Sequence, residues 1–423
     1  MIKFLIKGLL RDRHRSLLPI IVVSIGVFLT VLFHCWLSGI MGDMIDMNAK
    51  FSTGHVKIMS KSYSENINQI PNDLALTGVE DLLENTKKDY PDISWVERIQ
   101  FGGLLDVPDE NGETKSQGPT MGMAIDLFSD NKLEISNLNI EKSLQRGKLP
   151  ENPKEILISE EFAQKLDIGP GANVTLIAST MYGSMSMSNF IVSGTIKFGI
   201  TAMDRGTIVV DINDARLTLD MEDAAGEILG FFNSNIYEDE LAIEITNSFN
   251  SKYSNADEYS PVMLRLKEQN NLASMLDLYD SMSGIIISVF VLAMSIVLWN
   301  SGLLGGLRRY SEVGIRLAIG ENKGHVYRSM ITESIAIGVI GSVIGTAIGL
   351  SLSYYMQSHG MDFSSFAKNS TMMMPGVFHT SVNASAWYIG FFPGLFSTVL
   401  GTCLSGIGIY KRKTAQLFKE LEI

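Results

Sequence analysis

The sequence has only two cysteines, Cys35 and Cys403, and both lie inside apolar runs that are far apart in the chain of 423 residues. A disulfide framework or a four-cysteine zinc cluster needs more thiols at closer spacing, so both are excluded. A domain that lies outside the cytoplasm without disulfides is compatible with a bacterial periplasm.

Several catalytic and nucleotide-binding motifs are also missing. The sequence contains no His-Glu-x-x-His motif, no Gly-x-Ser-x-Gly nucleophile elbow and no Gly-x4-Gly-Lys-Ser/Thr P-loop. The histidines show no metal-ligand spacing; they are His14, His34, His55, His325, His359 and His379. We therefore expect no catalytic residue, no metal site and no cofactor bound by this chain, and no ATP binding through a P-loop of its own.

Acidic and basic side chains are unevenly distributed in a chain whose formal net charge is −12. Residues 41–282 hold 39 acidic and 19 basic side chains, whereas residues 1–16, 305–329 and 410–423 together hold 14 basic and 5 acidic ones. The acidic part argues against nucleic acid as a partner. The positive-inside rule predicts that the three basic segments, including both termini, are cytoplasmic.

Long apolar runs predict four membrane-spanning helices. The first covers residues 17–40 without an ionised side chain, which at about 1.5 Å per residue crosses a hydrocarbon core of roughly 30 Å. The others are predicted within residues 261–304, 330–356 and 384–410. A signal peptide has a shorter apolar region and a small-residue cleavage site, so we expect the first span to be a retained anchor.

The segment between the first two spans, residues 41–260, has the pattern of a separate α+β domain. Residues 79–90 predict a helix, residues 93–107 predict a strand, and Asn111-Gly112 predicts a hairpin turn. Strand and helix patterns then alternate as far as Asn250. The predicted fold class is an integral membrane α-helical protein with four transmembrane helices and an α+β extracytoplasmic domain between helices 1 and 2.

The remaining segments complete the predicted domain order. Ser260-Pro261 is typical of a helix start, so one stalk helix is predicted over residues 261–304 that continues into the second span. A cytoplasmic coupling helix and loop follow at 305–329, an extracytoplasmic loop at 357–383 and a cytoplasmic tail at 411–423.

The coupling helix carries both signs of charge between two apolar spans. Glu312 and Arg316 are spaced as a helical i,i+4 pair, and Val313 and Leu317 share one face. A polar helix in this position has no core of its own, so we expect it to bind a cytoplasmic ATPase. The candidate coupling residues are Ser311, Glu312, Val313, Gly314, Arg316, Leu317, Ala318 and Gly320, with Arg308, Arg309 and Glu333 near the membrane.

Three further features each leave two interpretations open. Glu333 pairs with Arg316 or Arg328, or takes part in a proton relay; pairing is favoured because no second buried acid accompanies it. The small-residue face of Gly341, Gly345 and Gly349 packs within its own bundle or forms a dimer contact. The segment around residues 180–188 is a mobile loop or a periplasmic docking hairpin. The candidate docking residues are Met181, Tyr182, Gly183, Met185 and Met187.

The order of one span, a large domain and three spans resembles the MacB/FtsX-type ABC transporter permeases, also called type VII or mechanotransmission transporters. The residues that carry the resemblance are Ser311-Glu312-Val313-Gly314-Ile315-Arg316-Leu317-Ala318-Ile319-Gly320 with Glu333-Ser334. The sequence from Gly147-Lys148-Leu149-Pro150 to Gly171 is similar to that family's periplasmic core domain. The family's Asp-Pro is missing after Lys411-Arg412-Lys413, which leaves open how the tail contacts its partner.

The resemblance implies a subunit of the bacterial inner membrane that pairs with a second permease, in a homodimer or heterodimer. Separate ABC ATPase subunits would bind ATP and Mg in the cytoplasm, and the stalk would carry their motion to the outer domain.

The function that we favour by this resemblance is the extraction of lipoproteins, as in the LolC/LolE-like branch, with transfer to a periplasmic carrier. Residues 179–189 lie where that branch has a hairpin hook, although this loop is shorter and lacks the expected proline. The alternatives are export of drugs, peptides or toxins with an adaptor protein, as in MacB, and non-transporting regulation of a cell-wall hydrolase, as in FtsX. Membrane lipid is a further expected partner.

Overall fold

The computed structural model describes residues 13–129, 132–253, 257–362 and 377–411. The chain divides into two compact units. We use "membrane unit" for Met1–Gly42, Leu276–Met361 and Phe378–Ile423, and "sheet unit" for Asp43–Met275 with Asp362–Val377. Most of the predicted basic segment 1–16 and tail 411–423, and the middle of the predicted loop 357–383, lie outside the described residues.

The α-helices of the described residues are numbered in chain order. Helices α1 to α13 are Arg13–Asn48, Lys61–Glu65, Val79–Asp89, Leu133–Asn137, Ile140–Ser143, Glu160–Leu166, Thr201–Asp204, Ile212–Leu219, Asp239–Lys252, Leu272–Ala318, Lys323–His359, Ala386–Ile389 and Phe391–Lys411. A π-helix, Ala49–Thr53, directly follows α1. Short 3-10 turns occupy Ile67–Gln69, Asn72–Leu74 and Leu266–Glu268.

The strands are numbered in the same way. Strands β1 to β14 are Val56–Ser60, Leu76–Thr77, Ile93–Pro108, Thr114–Ile125, Leu144–Gly147, Glu155–Ser159, Asn173–Ser179, Met185–Ile196, Thr207–Asp211, Ala224–Ala225, Glu227–Phe232, Pro261–Arg265, Met361–Asp362 and Val377–Phe378.

Four helical stretches among the described residues are long and apolar enough to cross a membrane, as the sequence predicted. They are Leu17–Thr53, Leu272–Val297, Lys323–His359 and Ala386–Leu404. The helices α1 and α11 extend beyond the predicted spans at both ends, because polar residues that flank the apolar runs are also helical.

The glycine face of α11 packs against α1 within the same chain. A side chain at Gly345 would place its Cβ atom 2.5 Å from the carbonyl oxygen of Ser24, so only glycine permits this approach of the two helices. The face consists of Gly341, Gly345 and Gly349, which contact Val23, Val27 and Val31 respectively. The structure therefore shows the within-bundle packing that the sequence analysis weighed against a dimer contact.

The sheet unit is built on one mixed sheet of ten strands in the order β12-β1-β11-β3-β4-β9-β6-β8-β5, with β7 pairing both β3 and β8. The pairs β3-β4, β4-β9, β9-β6, β6-β8, β8-β7 and β7-β3 therefore form a closed circuit. Helices alternate with these strands, so the predicted α+β class is confirmed. Apolar clusters cover both faces of the sheet.

The longest hairpin of the sheet forms where the sequence predicted it. Strand β3 begins at Ile93, and the turn before β4 contains Asn111-Gly112. The Oδ1 atom of Asp109 accepts hydrogen bonds from the backbone N–H groups of Asn111 and Glu113, both at 2.8 Å. Gly112 has a φ of 82°, a left-handed conformation that glycine adopts without strain.

The prediction that Ser260-Pro261 opens a stalk helix is wrong. Pro261 is the first residue of β12, which pairs antiparallel with β1 at the edge of the sheet. Proline is tolerated at the first residue of an edge strand because its missing N–H leaves no interior ladder bond unpaired. The helix begins instead at Leu272, after two residues, Asn270 and Asn271, with left-handed backbone angles.

The predicted short coupling helix at 305–329 is also corrected. It is not a separate helix, because α10 continues to Ala318 and α11 begins at Lys323. Glycines inside this stretch did not end the helix, as is common for glycine in membrane helices. The break comes at Gly320, which has a φ of 98°.

Candidate coupling and docking sites

The end of α10 carries most of the candidate coupling residues, and a tight turn at residues 319–322 joins it to the start of α11. We call this turn, with the last residues of α10, the coupling turn. The N–H of Glu321 donates to the carbonyl of Arg316 at 3.0 Å across the left-handed Gly320, as in a Schellman motif. A side-chain contact of 2.6 Å between His325 Nδ1 and Glu321 Oε1 follows the turn. The helix α10 therefore ends before Gly320, and α11 begins at Lys323.

Two exposed isoleucines lie at this turn. Ile315 is 54% exposed and Ile319 is 81% exposed, and they are four residues apart. The sequence analysis had grouped Val313 with Leu317 and did not single out these isoleucines, although their i,i+4 spacing beside Arg316 was visible. Exposed apolar side chains next to charges are typical of a surface that binds another protein.

The other coupling candidates are placed only by their helical backbone. These candidates are Arg308, Arg309, Ser311, Glu312, Val313, Gly314, Leu317 and Ala318, and their side chains lie outside the described part of the structure. The pairing of Glu312 with Arg316 therefore stays a prediction. Glu333 is half-buried on α11 beside the buried Ser334. Its pairing and its role in a proton relay both stay predictions.

The candidate docking hairpin is formed by β7 and β8. The N–H of Thr180 donates to the carbonyl of Ser184 at 2.7 Å, and Gly183 has a φ of 81°. Tyr182 is 76% exposed at the tip. Met181 is buried in the core beside Leu219, to whose carbonyl it donates its N–H at 2.8 Å, so its assignment to the docking surface is wrong.

The exposed methionines of the hairpin continue an apolar row on the sheet. Met187 pairs with Ile177, Ile177 is opposite Leu104 in register, and Leu104 pairs with Pro119. We call these four residues the outer row. Met121 on β4 and Met185 on β8 lie two residues from Pro119 and Met187 on the same strands, and both are more than half exposed. Methionine adapts to varied apolar surfaces, so the outer row and the hairpin tip together suit protein docking.

Within the sheet unit, the end of α1 and the start of α10 pack together. Ala49, Leu266 and Leu272 are buried together, with Ile45 and Tyr237 packed against them. Just beside this cluster, the Nδ2 atom of Asn270 donates to Ser52 Oγ at 3.2 Å. We call this region the domain root. It links the residues that follow α1 to those that precede α10.

A buried histidine lies next to the domain root. His55 is 4% exposed, and its Nδ1 atom accepts a hydrogen bond from the N–H of Phe232 at 3.0 Å. The rings of Phe231, Phe232 and Tyr237 surround it with centroid distances of 4.9–6.1 Å. Burial lowers the pKa of His55 to about 4, against a smaller opposing effect of Asp46. The imidazole is therefore neutral near pH 7 and acts as a hydrogen-bond acceptor.

Two protein-family models match the chain. The family described as "MacB-like periplasmic core domain" matches residues 16–249, and the family described as "FtsX-like permease C-terminal" matches residues 284–414. The first match covers nearly all of α1 and most of the sheet unit, and the second covers most of α10 and all of α11, α12 and α13.

Similar curated proteins include both lipoprotein-releasing and export permeases. The lipoprotein-releasing system transmembrane protein LolC of Xylella fastidiosa is 25% identical over 231 residues, which cover 53% of this chain and 52% of that protein. The macrolide export ATP-binding/permease protein MacB of Wolinella succinogenes is 30% identical over 77 residues, 18% of this chain and 12% of that protein. The pyoverdine export ATP-binding/permease protein PvdT of Pseudomonas aeruginosa is 32% identical over 89 residues, with 21% and 12% covered.

The chain thus matches about half the length of the LolC protein and much less of the two exporters. Among solved structures, the periplasmic region of MacB from Actinobacillus actinomycetemcomitans has a TM-score of 0.36 and 11% identity, covering 54% of this chain and 95% of that one.

The buried His55 predicts that the sheet unit loses stability in mild acid. The unfolded chain takes up a proton near pH 6.5, whereas the folded imidazole does so only near pH 4. The unfolded state therefore binds more protons between these values, and stability falls as pH drops from about 6.5 to about 4. The full effect is about 3 kcal/mol. Denaturant unfolding at pH 7 and pH 5, followed by Trp95 fluorescence in a chain without its other tryptophans, measures it.

The matched control is His55→Asn, whose amide oxygen can still accept from Phe232 but does not titrate. We expect this variant to lose most of the difference between pH 7 and pH 5. A pH dependence as steep as that of the unsubstituted chain would show that other groups cause it.

Proposed function

Because the chain belongs to the MacB/FtsX-type family of ABC transporter permeases, we propose that it couples a separate cytoplasmic ATPase to movement of the sheet unit. The observation that carries this proposal is the continuity of α10 from Leu272, at the domain root, to Ala318, at the coupling turn. One helix therefore contains both of the places that such coupling has to connect.

The length of α10 supports this role. Its 47 residues give a helix of about 70 Å, whereas a bilayer with its headgroups is about 40–45 Å thick. A continuous helix of this length extends beyond the membrane and transmits displacement along its axis.

The charge pattern gives this helix its proposed direction. Residues 305–329 around the coupling turn are basic and the sheet unit is acidic, so the positive-inside rule favours a cytoplasmic turn and a sheet unit outside. We propose a bacterial inner-membrane location in which both termini are cytoplasmic and the sheet unit is periplasmic.

The source of energy is proposed to be a partner ATPase that binds the coupling turn. ATP and Mg would be held by that partner, since this sequence has no P-loop. An ATPase that binds two conformations of the permease with different affinity shifts their populations as nucleotide binds and leaves. The exposed Ile315 and Ile319 would supply apolar contact, and Glu312 and Arg316 would fix the orientation.

A second permease is proposed to complete the assembly. The glycine face of α11 is occupied by α1, which directs pairing to other faces of the membrane unit. An apolar groove of about 770 Å³ between α10 and α13 is open to a second permease or to membrane lipid. It is lined by Ile287, Ser288, Val291, Leu292, Phe392, Pro393, Leu395, Phe396 and Val399.

We favour lipoprotein extraction as the work that this motion performs. The match to LolC extends over about half of both chains, whereas the matches to the exporters are shorter. Tyr182, Met185 and Met187 of the hairpin, with Met121, offer an exposed apolar surface of the kind that a periplasmic carrier for acylated proteins would contact. MacB-like export through an adaptor and FtsX-like control of a cell-wall hydrolase are the alternatives.

Charge reversal at the coupling turn tests the ATPase partnership. We expect Glu312→Arg with Arg316→Glu to reduce co-purification with an ABC ATPase at least tenfold, because both charges then face groups of their own sign on the partner. The measurements are the yield of ATPase bound to the tagged chain and the ATP hydrolysis of the complex.

The matched control reverses another i,i+4 pair, Glu84→Lys with Lys88→Glu, which is exposed on α3 in the sheet unit. It is expected to leave both measurements unchanged. Undiminished coupled hydrolysis in the Glu312 and Arg316 variant, or hydrolysis by the purified chain alone, would contradict the proposed partnership.

Crosslinking from the hairpin distinguishes the three proposed outputs. A photoreactive residue at Tyr182 or Met187 is expected to capture a soluble lipoprotein carrier in cells, identified by mass spectrometry. Ile236 is 66% exposed and lies outside the hairpin, so it serves as the control position. Capture of an adaptor would favour export, and capture of a hydrolase activator would favour regulation. Yields no higher than those from Ile236 would contradict docking at the hairpin.

A further inference from the structure

One face of the sheet carries four buried charged side chains in two ion pairs. The Nζ atom of Lys57 lies 3.0 Å from Glu227 Oε1, and both side chains are at most 2% exposed. Arg98 contacts Glu134 through two bonds, Nε to Oε2 at 2.5 Å and Nη2 to Oε1 at 2.9 Å, with side-chain exposures of 0% and 1%. The pairs are adjacent because Glu227 is opposite Arg98 in register between β11 and β3.

Arg98 also binds the end of the first membrane helix. Its Nη2 atom donates to the carbonyl oxygen of Lys50 at 2.6 Å. Lys50 belongs to the π-helix that directly continues α1. The guanidinium therefore joins three parts of the sheet unit: β3, the short helix α4 that carries Glu134, and the end of α1.

The carbonyl of Lys50 needs this donor. In a continuing helix it would accept from the N–H of Gly54 or His55. Gly54 donates instead to the carbonyl of Ala49 at 2.8 Å, and His55 donates to Gly230 at 2.9 Å in the sheet. A cation at the C-terminal end of a helix is also favoured by the helix dipole. Arg98 therefore satisfies a carbonyl that the change from helix to strand leaves without a helical donor.

Stability alone does not account for a buried pair of this kind. Removing two charges from water costs so much that a well-packed apolar pair of similar volume is often equally stable. The planar fork of arginine differs from an apolar contact because it fixes direction as well as distance. The bond to Lys50 thus restrains the orientation of the helix end relative to β3.

The second long helix is held differently at the domain root. Asn270 donates to Ser52 at 3.2 Å, and Leu272 packs against Ala49 and Leu266. Just before the helix, the partly exposed Arg265 and Lys267 form ion pairs with Asp239. Neutral hydrogen bonds and apolar contacts are less directional than a buried charged fork. The end of α1 is therefore held by a fully buried charged fork, whereas the ion pairs just before α10 are partly exposed.

We propose that Arg98, oriented by Glu134, is a positioning residue that locks the end of α1 to the sheet, so that displacement of α1 reaches β3 undiminished. The part of this proposal that concerns displacement of α1 rests on the proposed function. The lock itself is a property of the folded chain and can be measured without an ATPase.

A distance measurement on the full-length chain in lipid nanodiscs tests the lock. Spin labels replace Asp46, near the end of α1, and Gln117, on β4, after Cys35 and Cys403 have been changed to serine. With Arg98 present, pulsed electron resonance is expected to give one narrow distance distribution. In the Arg98→Met, Glu134→Leu variant we expect its width to increase at least twofold. Exchanging both residues avoids leaving one buried charge without its partner.

The matched control is Arg216→Met with Glu97→Leu. Arg216 Nη2 lies 2.8 Å from Glu97 Oε1, and Glu97 precedes Arg98 on β3, so its side chain projects from the other face of the strand. The control is expected to keep the narrow distribution. An unchanged width in a folded Arg98→Met, Glu134→Leu chain, with Trp95 fluorescence as the check of folding, would overturn the proposal.

If that double variant fails to fold, Glu134→Gln takes its place. It keeps the shape and one acceptor oxygen but removes the charge that orients the guanidinium. We expect a smaller increase in width, and no increase would overturn the proposal.

A second readout connects the lock to function. In complex with a co-purified ABC ATPase, the Arg98→Met, Glu134→Leu variant is expected to keep its ATP hydrolysis within twofold of the parent rate. The nucleotide-dependent movement of the sheet unit should be lost, and its persistence would contradict a coupling role for Arg98. If the parent chain binds no ABC ATPase, the proposed function fails while the distance measurement still decides whether the lock exists.

Discussion

The need to satisfy every backbone polar group inside a lipid layer is the constraint on which this architecture depends. Hydrocarbon offers no hydrogen-bond partner, so the chain crosses it only as unbroken helix. This requirement explains why α10 is unbroken across the apolar layer, and the helix runs on from Leu272 to Ala318. The same continuity supports the proposal that the helix acts as a mechanical link.

Where the helices leave the apolar layer, the sheet unit has to take over their backbone hydrogen bonds. At the end of α1 the N–H group of Gly54 donates to Ala49 and that of His55 donates to Gly230 in the sheet. Arg98 donates a hydrogen bond to the carbonyl of Lys50, which these two groups leave without a donor. At the start of α10 two asparagines with left-handed backbone angles permit a sharp change from strand to helix. These transitions are local events in the chain.

Features that depend on local sequence were predicted well. Apolar runs predicted the four spans. β-branched residues bounded by turn signals predicted β3 and most strands of the closed circuit in the sheet. The start of α10 was missed because the proline signal at Pro261 is shared by helix starts and edge strands, and only pairing with β1 separates them. Met181 was misassigned because burial of one side chain in a polar turn depends on its contact with a distant residue, Leu219.

The buried pair of Arg98 and Glu134 was not predicted from the sequence. The two residues are 36 positions apart, and charged residues are usually exposed.

The central claim is that ATP used in the cytoplasm moves the sheet unit through these helices. Its most direct test is the distance between spin labels at Gln117 in the sheet unit and at His359, the last residue of α11, in a complex with the ABC ATPase in nanodiscs. The distribution would be compared without nucleotide and after trapping with ATP, Mg and vanadate. The account predicts a shift of the mean distance on trapping that reverses when nucleotide is removed. Identical distributions in a complex that hydrolyses ATP would contradict it.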